Sequence, residues 1–224
     1  MKPLTEHHLA IFRRHMVEVI EVQFDLLGEE IGRSRLGERL RSALLKVPRH
    51  QFVPFELAAL AYHDRPLPIG FDKTIPQPFI AALMIDLLDI QALDSVLEVG
   101  TGLGYQAAIL ADLARFVWSI EIVEEFADSA RALLDALGYR NVTLRAGDGV
   151  RGWADVAPFD RILVTAAASE PPPRLIEQLR PGGRLVMPLG DKDVQIISLI
   201  EKQVDGTVTT LRTIPAKFTQ LETV

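Results

Sequence analysis

The sequence predicts an α/β fold built on a doubly wound, mostly parallel sheet, with a helical segment before it and a β-hairpin after it. After Asp94, short runs rich in β-branched residues alternate with helical segments, a pattern typical of a parallel sheet covered on both faces. Before that point, apolar residues recur at helical spacing through roughly the first 47 residues. Near the C-terminus, two strand-like runs flank Asp205-Gly206, a dipeptide that favours a tight hairpin turn.

Two amphipathic helices are predicted in the N-terminal part. Their apolar stripes are Leu9, Phe12, Met16, Ile20 and Phe24 in the first helix, and Leu36, Leu40, Leu44 and Val47 in the second. Residues 26–37 carry three glycines and predict a break between the helices. We therefore divide the chain into an N-terminal helical segment, residues 1–47, and a second domain, residues 48–224.

Prolines dominate the stretch from residue 53 to residue 78. Their density excludes a regular helix or a central strand, so we expect an ordered loop there. Pro78 suits the first turn of a helix over residues 78–88, because its missing N–H costs nothing at that position.

The remaining elements follow the alternation. Strands are expected at residues 95–100, 117–123, 142–147, 161–166 and 183–190, with helices over 105–116 and 124–138. In the second of these helices an apolar face forms, and Gly138 marks its end.

Composition and charge exclude several classes of function. The formal net charge is −6, whereas a surface that grips nucleic acid needs clustered Lys and Arg, so no nucleic acid is expected as a partner. The chain has no cysteine, and its five histidines show no metal-ligand spacing, so no metal is expected. No apolar run reaches the roughly 18 residues that a membrane span requires. We expect a cytoplasmic protein with no membrane partner, a monomer or a homodimer.

A glycine-rich turn follows the first predicted strand. Gly100, Gly102 and Gly104 stand where that strand ends and a helix begins. Glycine lets backbone N–H groups come close to a ligand in the crevice beyond the carboxyl ends of the strands. A tight strand-to-helix connection with no ligand is the alternative interpretation.

Acidic residues close the next two strands. Glu121 lies 19 residues after Gly102, where a carboxylate can accept hydrogen bonds from both hydroxyls of a ribose. Asp148 and Gly149 follow the third strand, and Asp148 could accept from an adenine amino group. An exposed acid at a strand end and a bare turn are the alternatives at these two places.

The glycine spacing favours a nucleoside ligand without a pyrophosphate. It is GxGxG rather than the GxGxxG of dinucleotide sites, and no P-loop lysine follows. S-adenosylmethionine is such a ligand, since its amino and carboxylate groups can meet the glycine turn and its ribose the acid.

Several stretches of the chain together resemble the protein-L-isoaspartate O-methyltransferase family. They are VPRHQFVP (47–54), AYHDRPLPIG (61–70), QPF (77–79), VLEVGTGLGYQAA (96–108), AGDGVRGW (146–153), APFDRILVTAAA (157–168) and LIEQLRPGGRLVMPLG (175–190). The resemblance implies a class I methyltransferase (Rossmann-like) sheet, S-adenosylmethionine as methyl donor, and isoaspartyl-containing proteins or peptides as acceptors in protein repair. It also implies a donor contact from Glu98 and an acceptor loop over residues 61–78, with Ile69, Thr74 and Gln77 in contact with the acceptor.

The acceptor loop departs from the family pattern at one position. The family usually reads Thr-Ile-Ser-Gln-Pro, and this chain reads Thr74-Ile75-Pro76-Gln77-Pro78, so the hydroxyl regarded as catalytic is absent. Each proline pushes the residue before it toward extended geometry, which indicates a stiff lid over the acceptor. Thr74 is the candidate substitute donor, and a turn hydroxyl bonded to local backbone is the alternative.

Methyl transfer could survive this change. An acceptor carboxylate is already ionised at neutral pH, because model acids titrate near ~4, so alignment matters more than a general base. Losing one hydroxyl donor should cost about 1–3 kcal/mol, roughly 10- to 100-fold in rate. Two alternatives remain: a methyltransferase re-specialised for another carboxylate or small molecule, and a non-catalytic S-adenosylmethionine-binding protein.

Overall fold

Three helices precede the strands in the computed structural model, which describes residues 5–223. They are α1 (Glu6–Leu26), α2 (Gly28–Ile31) and α3 (Glu38–Lys46). The Thr5 side chain caps α1 by accepting a hydrogen bond from the backbone N–H of His8. The two predicted helices are α1 and α3, and the predicted break contains the short α2. Phe12 was expected in the buried stripe of α1 but is exposed, because Arg13 and not Phe12 turns inward.

Residues 49–75 contain short regular elements where an ordered loop is predicted. Short 3₁₀ helices at Arg49–Phe52 and Phe55–Leu60 lead into an antiparallel hairpin of β1 (Leu67–Gly70) and β2 (Lys73–Ile75). This hairpin lies apart from the main sheet, so the exclusion of a central strand is confirmed. Strands of three or four residues carry too little alternation to be recognised in the sequence.

Helix α4 (Pro78–Leu88) is buried along its whole length and begins at Pro78, as predicted. A helix that is apolar all round belongs in a core. Phe24 of α1 meets Phe79 of α4 edge to face, with ring centres 5.7 Å apart. The N-terminal helices therefore share an apolar core with α4, and the division of the chain at residue 47 stays a prediction.

A mostly parallel sheet of seven strands forms the centre of the molecule. Its strands are β3 (Ser95–Val99), β4 (Phe116–Glu121), β5 (Val142–Ala146), β6 (Phe159–Val164), β7 (Leu179–Gly190), β8 (Gln195–Lys202) and β9 (Val208–Ala216), in the spatial order β5-β4-β3-β6-β7-β8-β9. Strands β3 to β7 pair in parallel, and β8 and β9 add an antiparallel hairpin through the turn that contains Asp205-Gly206. The predicted fold class is confirmed.

Helices cover both faces of this sheet. They include α5 (Tyr105–Leu113), α6 (Glu124–Ala136) and α7 (Pro173–Gln178). Val96 of β3 joins the apolar cluster beneath α1, α4 and α5, and its neighbour Leu97 joins the opposite cluster beside α7. Helix α5 ends at Leu113 and not at residue 116, because Phe116 already begins β4. Parallel strands β3 to β6 all end at one edge of the sheet, and that edge carries the site.

Candidate active site

Two adjoining clefts open at the carboxyl ends of the parallel strands, beside the β1–β2 hairpin. The larger cleft has a volume of about 590 Å³ with its opening included, and the smaller cleft about 370 Å³. Both are lined by Ile69, Thr74, Gly100, Gly102 and Thr165. Open α/β sheets bind ligands at this edge, so the two clefts together form the candidate site.

The glycine turn after β3 makes room at the floor shared by the clefts. Gly100 and Gly102 have φ angles of +92° and +54°, which favour glycine. A Cβ on Gly100 would lie 2.3 Å from Thr165 Oγ1, and one on Gly102 would lie 3.1 Å from Ile69 Cδ1. The backbone N–H groups of both glycines donate within the protein, to a carbonyl and a carboxylate of β4. A ligand can therefore come close to the bare backbone of this turn. The two N–H groups, which the sequence suggested as ligand contacts, already have partners within the protein.

Gly104 lies outside the lining of both clefts. A Cβ there would lie 3.3 Å from Ala130 Cβ and 3.4 Å from Leu134 Cδ1, so this glycine lets α5 and α6 pack closely. Gly104 therefore serves helix packing. Its direct contact with the donor stays a prediction, because the residue does not line either cleft.

Glu121 ends β4, is buried, and lines the larger cleft. Its Oε2 accepts a hydrogen bond of 2.7 Å from the Gly102 N–H, and its Oε1 accepts one of 3.0 Å from the Val123 N–H. An ionised carboxylate has about four lone-pair sites, so both oxygens keep acceptor capacity toward hydroxyls in the cleft. This geometry suits the predicted ribose contact.

Glu98 is fully buried beneath the glycine turn and does not line either cleft. Ser119 Oγ donates a hydrogen bond to Glu98 Oε2, and the hydroxyls of Ser119 and Thr101 lie 2.6 Å apart. Burial raises the pKa of Glu98 to about 8; the Ser119 hydrogen bond opposes this shift and the charge of Glu121 adds to it. Since Thr101 lines the smaller cleft, Glu98 supports the turn from below, and its direct donor contact stays a prediction.

Asp148 and Gly149 follow β5 and separate in role. Asp148 Oδ1 accepts from the Val150 N–H at 3.0 Å, and Oδ2 lies 3.3 Å from Arg151 Nε. Gly149 lines the larger cleft, and a Cβ on it would lie 2.2 Å from Val99 Cγ1. The backbone at Gly149 thus borders the cleft, while the Asp148 carboxylate caps a turn beside it; the adenine contact of Asp148 stays a prediction.

The three predicted acceptor residues differ in placement. Ile69 and Thr74 line both clefts, and the Thr74 hydroxyl has no hydrogen-bond partner within residues 5–223. The alternative of a local backbone bond for Thr74 therefore has no counterpart in the structure. Gln77 lies outside both linings, and its Nε2 donates a hydrogen bond of 2.8 Å to Asp64 Oδ2.

Sequence comparison connects this site to a known family. A sequence profile of the protein-L-isoaspartate(D-aspartate) O-methyltransferase family matches residues 25–223. The chain belongs to this family. Over 219 residues it is 48% identical to protein-L-isoaspartate O-methyltransferase 1 of Polaromonas sp. (strain JS666), with 98% of this chain and 93% of that protein aligned.

Solved structures agree on the fold of this family member. One protein-L-isoaspartate O-methyltransferase superposes with a TM-score of 0.75 at 26% identity; the match covers 89% of this chain and 65% of that longer one. A second structure is described as a β-aspartate methyltransferase from Plasmodium falciparum in complex with S-adenosyl-L-homocysteine. It superposes with a TM-score of 0.78 at 20% identity, and the match covers 94% of this chain and 98% of that one. The class I methyltransferase type of sheet is confirmed.

Pro76, which stands where the sequence resemblance implies a serine, lines the smaller cleft. The fully buried guanidinium of Arg49 donates through Nη2 to the Pro76 carbonyl oxygen at 2.6 Å. This family member therefore keeps residue 76 in a fixed place at the cleft wall, with an apolar ring where the resemblance implies a hydroxyl.

Other lining residues were not singled out from the sequence. Thr165 follows β6 and donates to the Gly100 carbonyl oxygen at 2.7 Å; the strand-end rule that pointed to Glu121 would have found it. Phe126, Lys73 and the C-terminal stretch 219–222 also line the larger cleft. No local pattern marks the last of these, because residues remote in sequence bring it there.

Within residues 5–223, no group of three or more histidine, aspartate and glutamate side chains is arranged to hold a metal ion. In the same part of the chain, no helix combines the length and apolar character needed to cross a membrane.

Proposed function

We propose that this chain transfers the methyl group of S-adenosylmethionine to the carboxylate of L-isoaspartyl residues in damaged proteins, as a step in their repair. Family membership over residues 25–223, with 48% identity to a named member across nearly the whole chain, carries the proposal. The clefts lie at the sheet edge where open α/β folds bind their ligands, which supports the proposal.

The residues of the larger cleft fit the methyl donor. Glu121 presents buried carboxylate oxygens that can accept from ribose hydroxyls, and Gly149 leaves the backbone bare where an adenine can lie. Gly100 and Gly102 border both clefts, so a donor that extends along the turn reaches the smaller cleft. When bound, the donor supplies an electrophilic methyl group on a sulfonium.

The acceptor side makes modest chemical demands of the protein. The acceptor carboxylate is ionised at neutral pH, so no general base is needed, and the protein must align the carboxylate oxygen with the methyl carbon. Ile69, Thr74 and Pro76 form the wall beside this point. The Thr74 hydroxyl, which has no hydrogen-bond partner among residues 5–223, can donate to the carboxylate in place of the missing serine. The methyl ester then closes to a succinimide, which reopens partly to normal aspartate.

Pro76 supports one competing function. A proline ring at the catalytic serine position suits a methyltransferase re-specialised for another carboxylate or small molecule. A non-catalytic S-adenosylmethionine-binding protein is the other alternative. Both predict donor binding without transfer to an isoaspartyl peptide.

A paired-peptide assay separates these functions. The purified chain is incubated with methyl-labelled S-adenosylmethionine and an isoaspartyl peptide, beside a peptide of the same sequence with normal aspartate. Label on the isoaspartyl peptide alone is the expected result. Label on neither peptide, with tight binding of S-adenosylhomocysteine, would favour re-specialisation or loss of catalysis. Glu121→Ala serves as the matched control, since it should lose donor binding and transfer together.

Partners and location complete the proposal. Isoaspartyl-containing proteins or peptides are the acceptors, and the net charge of −6 speaks against nucleic acid. A cytoplasmic location, the absence of a membrane partner, and a monomeric or homodimeric state stay predictions from the sequence. Gel filtration with light scattering would decide the oligomeric state.

A further inference from the structure

Lys73 brings a positive charge to the larger cleft. Among the described residues that line the two clefts, it is the only lysine or arginine. It lies on β2 directly before Thr74, and its side chain is 19% exposed. An ammonium in such a partly desolvated cleft attracts anionic ligands more strongly than one on an open surface.

The Lys73 ammonium already forms an ion pair with a carboxylate of the same chain. Lys73 Nζ donates to Glu222 Oε1 at 2.5 Å. The stretch before Glu222 is tied to the protein by backbone bonds, since the Ala167 N–H donates to the Thr219 carbonyl and the Leu221 N–H donates to the Ala167 carbonyl. The Glu222 side chain is 55% exposed, so its carboxylate can return to water when the pair with Lys73 opens. Another carboxylate can therefore replace it at small cost.

We propose that Lys73 binds the carboxylate of the acceptor, and that Glu222 forms the ion pair with Lys73 until the acceptor displaces the Glu222 carboxylate. This inference rests on the proposed function, in which the acceptor arrives as an anion. Pro76 leaves the acceptor carboxylate one hydroxyl donor short, and Lys73, on the strand β2 that directly precedes Pro76, supplies N–H donors. The Lys73–Glu222 pair shows that a carboxylate fits against this ammonium at hydrogen-bond distance.

The charge balance of the reaction determines how Lys73 acts. The carboxylate oxygen bonds to the methyl carbon while the sulfur–carbon bond breaks, so an anion and a sulfonium become a neutral ester and a neutral thioether. An ammonium beside the carboxylate therefore stabilises the bound acceptor at least as much as the transition state. Lys73 should lower the KM for the acceptor without raising kcat.

The methionine part of the donor also carries a carboxylate, and it is the other possible ligand of Lys73. Lys73 lines only the larger cleft, in which the donor is placed, whereas Ile69 and Thr74 of the same hairpin line both clefts. The acceptor is preferred because this hairpin carries the acceptor wall. Affinity for S-adenosylhomocysteine, which has the donor's carboxylate, distinguishes the two sources.

Four variants test the proposal by steady-state kinetics with an isoaspartyl peptide and by calorimetric titration with S-adenosylhomocysteine. We expect Lys73→Met to raise the KM about 3- to 10-fold with kcat unchanged or higher, and to leave the S-adenosylhomocysteine Kd within about twofold. Lys73→Arg should stay close to wild type. Glu222→Gln should lower the KM about twofold. Lys46→Met is the matched control, because it removes the Lys46–Asp112 ion pair, which has the same length but lies away from the clefts. This variant should change neither the KM nor the Kd.

Each outcome decides a separate point. An unchanged KM in Lys73→Met, or a KM effect that Lys46→Met reproduces, would overturn the inference while the proposed function stands. Weakened S-adenosylhomocysteine binding in Lys73→Met would assign the ammonium to the donor and overturn it as well. A wild-type chain that methylates no isoaspartyl peptide would remove the proposed function, and this inference with it.

Discussion

The Nη2 atom of Arg49 donates a hydrogen bond of 2.6 Å to the carbonyl oxygen of Pro76. The same guanidinium donates through Nε to the Ala61 carbonyl oxygen at 2.7 Å and lies 4.8 Å from the centre of the Tyr105 ring. One buried cation thus joins the beginning of the 61–78 loop to the residue that faces the smaller cleft. The backbone at residue 76 is held from behind, whichever side chain it carries.

Arg49→Lys should loosen this loop. A lysine keeps the charge but cannot reach two carbonyls with the fixed fork of a guanidinium, so the Ala61 or Pro76 carbonyl is left without its partner. We expect the free energy of unfolding in urea to fall by about 1–3 kcal/mol. The kcat/KM for an isoaspartyl peptide should fall at least about 10-fold, with unchanged affinity for S-adenosylhomocysteine. Wild-type kcat/KM in this variant would show that the loop is positioned without the Arg49 bond.

Pro76→Ser should raise activity. The serine hydroxyl would return a donor to the wall of the smaller cleft, at a backbone position that Arg49 already fixes. We expect kcat for an isoaspartyl peptide to increase about 10-fold. Pro76→Ala is the matched control, because it removes the ring without adding a hydroxyl. Equal gains in kcat in both variants would mean that a more flexible backbone, and not the hydroxyl, raises activity. No gain in either variant would favour a re-specialised enzyme.

The sequence predicted the edge of the sheet where the site lies. Strand and helix patterns decide the order of elements, and in a parallel sheet that order brings the loops after β3, β4 and β5 to one edge. Gly100, Gly102, Glu121 and Gly149 accordingly line the clefts, although their binding roles stay predictions. These positions depend on backbone topology alone, which a local pattern can specify.

Side-chain partners were beyond the reach of the sequence. Gln77 donates to Asp64, 13 residues away, because the folding of the loop brings that partner close. Asp148 instead contacts Val150 and Arg151 in its own turn, and the sequence did not show which of these contacts its carboxylate would make. The ion pair between Lys73 of β2 and Glu222 at the larger cleft joins residues 149 positions apart in the chain. No periodicity or turn signal encodes such a contact.

Glu121→Ala should abolish tight donor binding. The change removes the acceptors for the Gly102 and Val123 N–H groups as well as those offered to the ribose. We expect the Kd for S-adenosylhomocysteine, measured by calorimetric titration, to rise about 10- to 100-fold, and the free energy of unfolding to fall by about 1–3 kcal/mol. Glu121→Gln keeps one side-chain oxygen, so its Kd should lie between those of the wild type and Glu121→Ala. An unchanged Kd in the alanine variant would remove Glu121 from the donor site.

Gly149→Ala should be harmful alone and tolerated with a second change. Its new Cβ would lie 2.2 Å from Val99 Cγ1, while the Val99 Cβ itself is 3.4 Å away, at ordinary contact. We therefore expect Val99→Ala to relieve the clash, with a favourable coupling of about 1–3 kcal/mol in a double-mutant cycle of urea denaturation. Val99→Ala alone gives the cost of the lost methyl groups. Additive effects would mean that the chain absorbs the extra carbon by another shift.

Glu98 should make the fold less stable as the pH rises. Burial raises the pKa of Glu98 to about 8 from an ordinary 4.5, so the folded chain holds a proton that the unfolded chain releases between these values. The stability due to this proton is complete below pH 4.5 and is lost as the pH rises through about 8. Relative to Glu98→Gln, which cannot ionise, the wild type should lose up to about 1.4 kcal/mol per pH unit in this range. Urea denaturation of both proteins at about pH 5, 6.5 and 8 measures the difference, and parallel stability curves would mean that Glu98 is ionised in the folded chain.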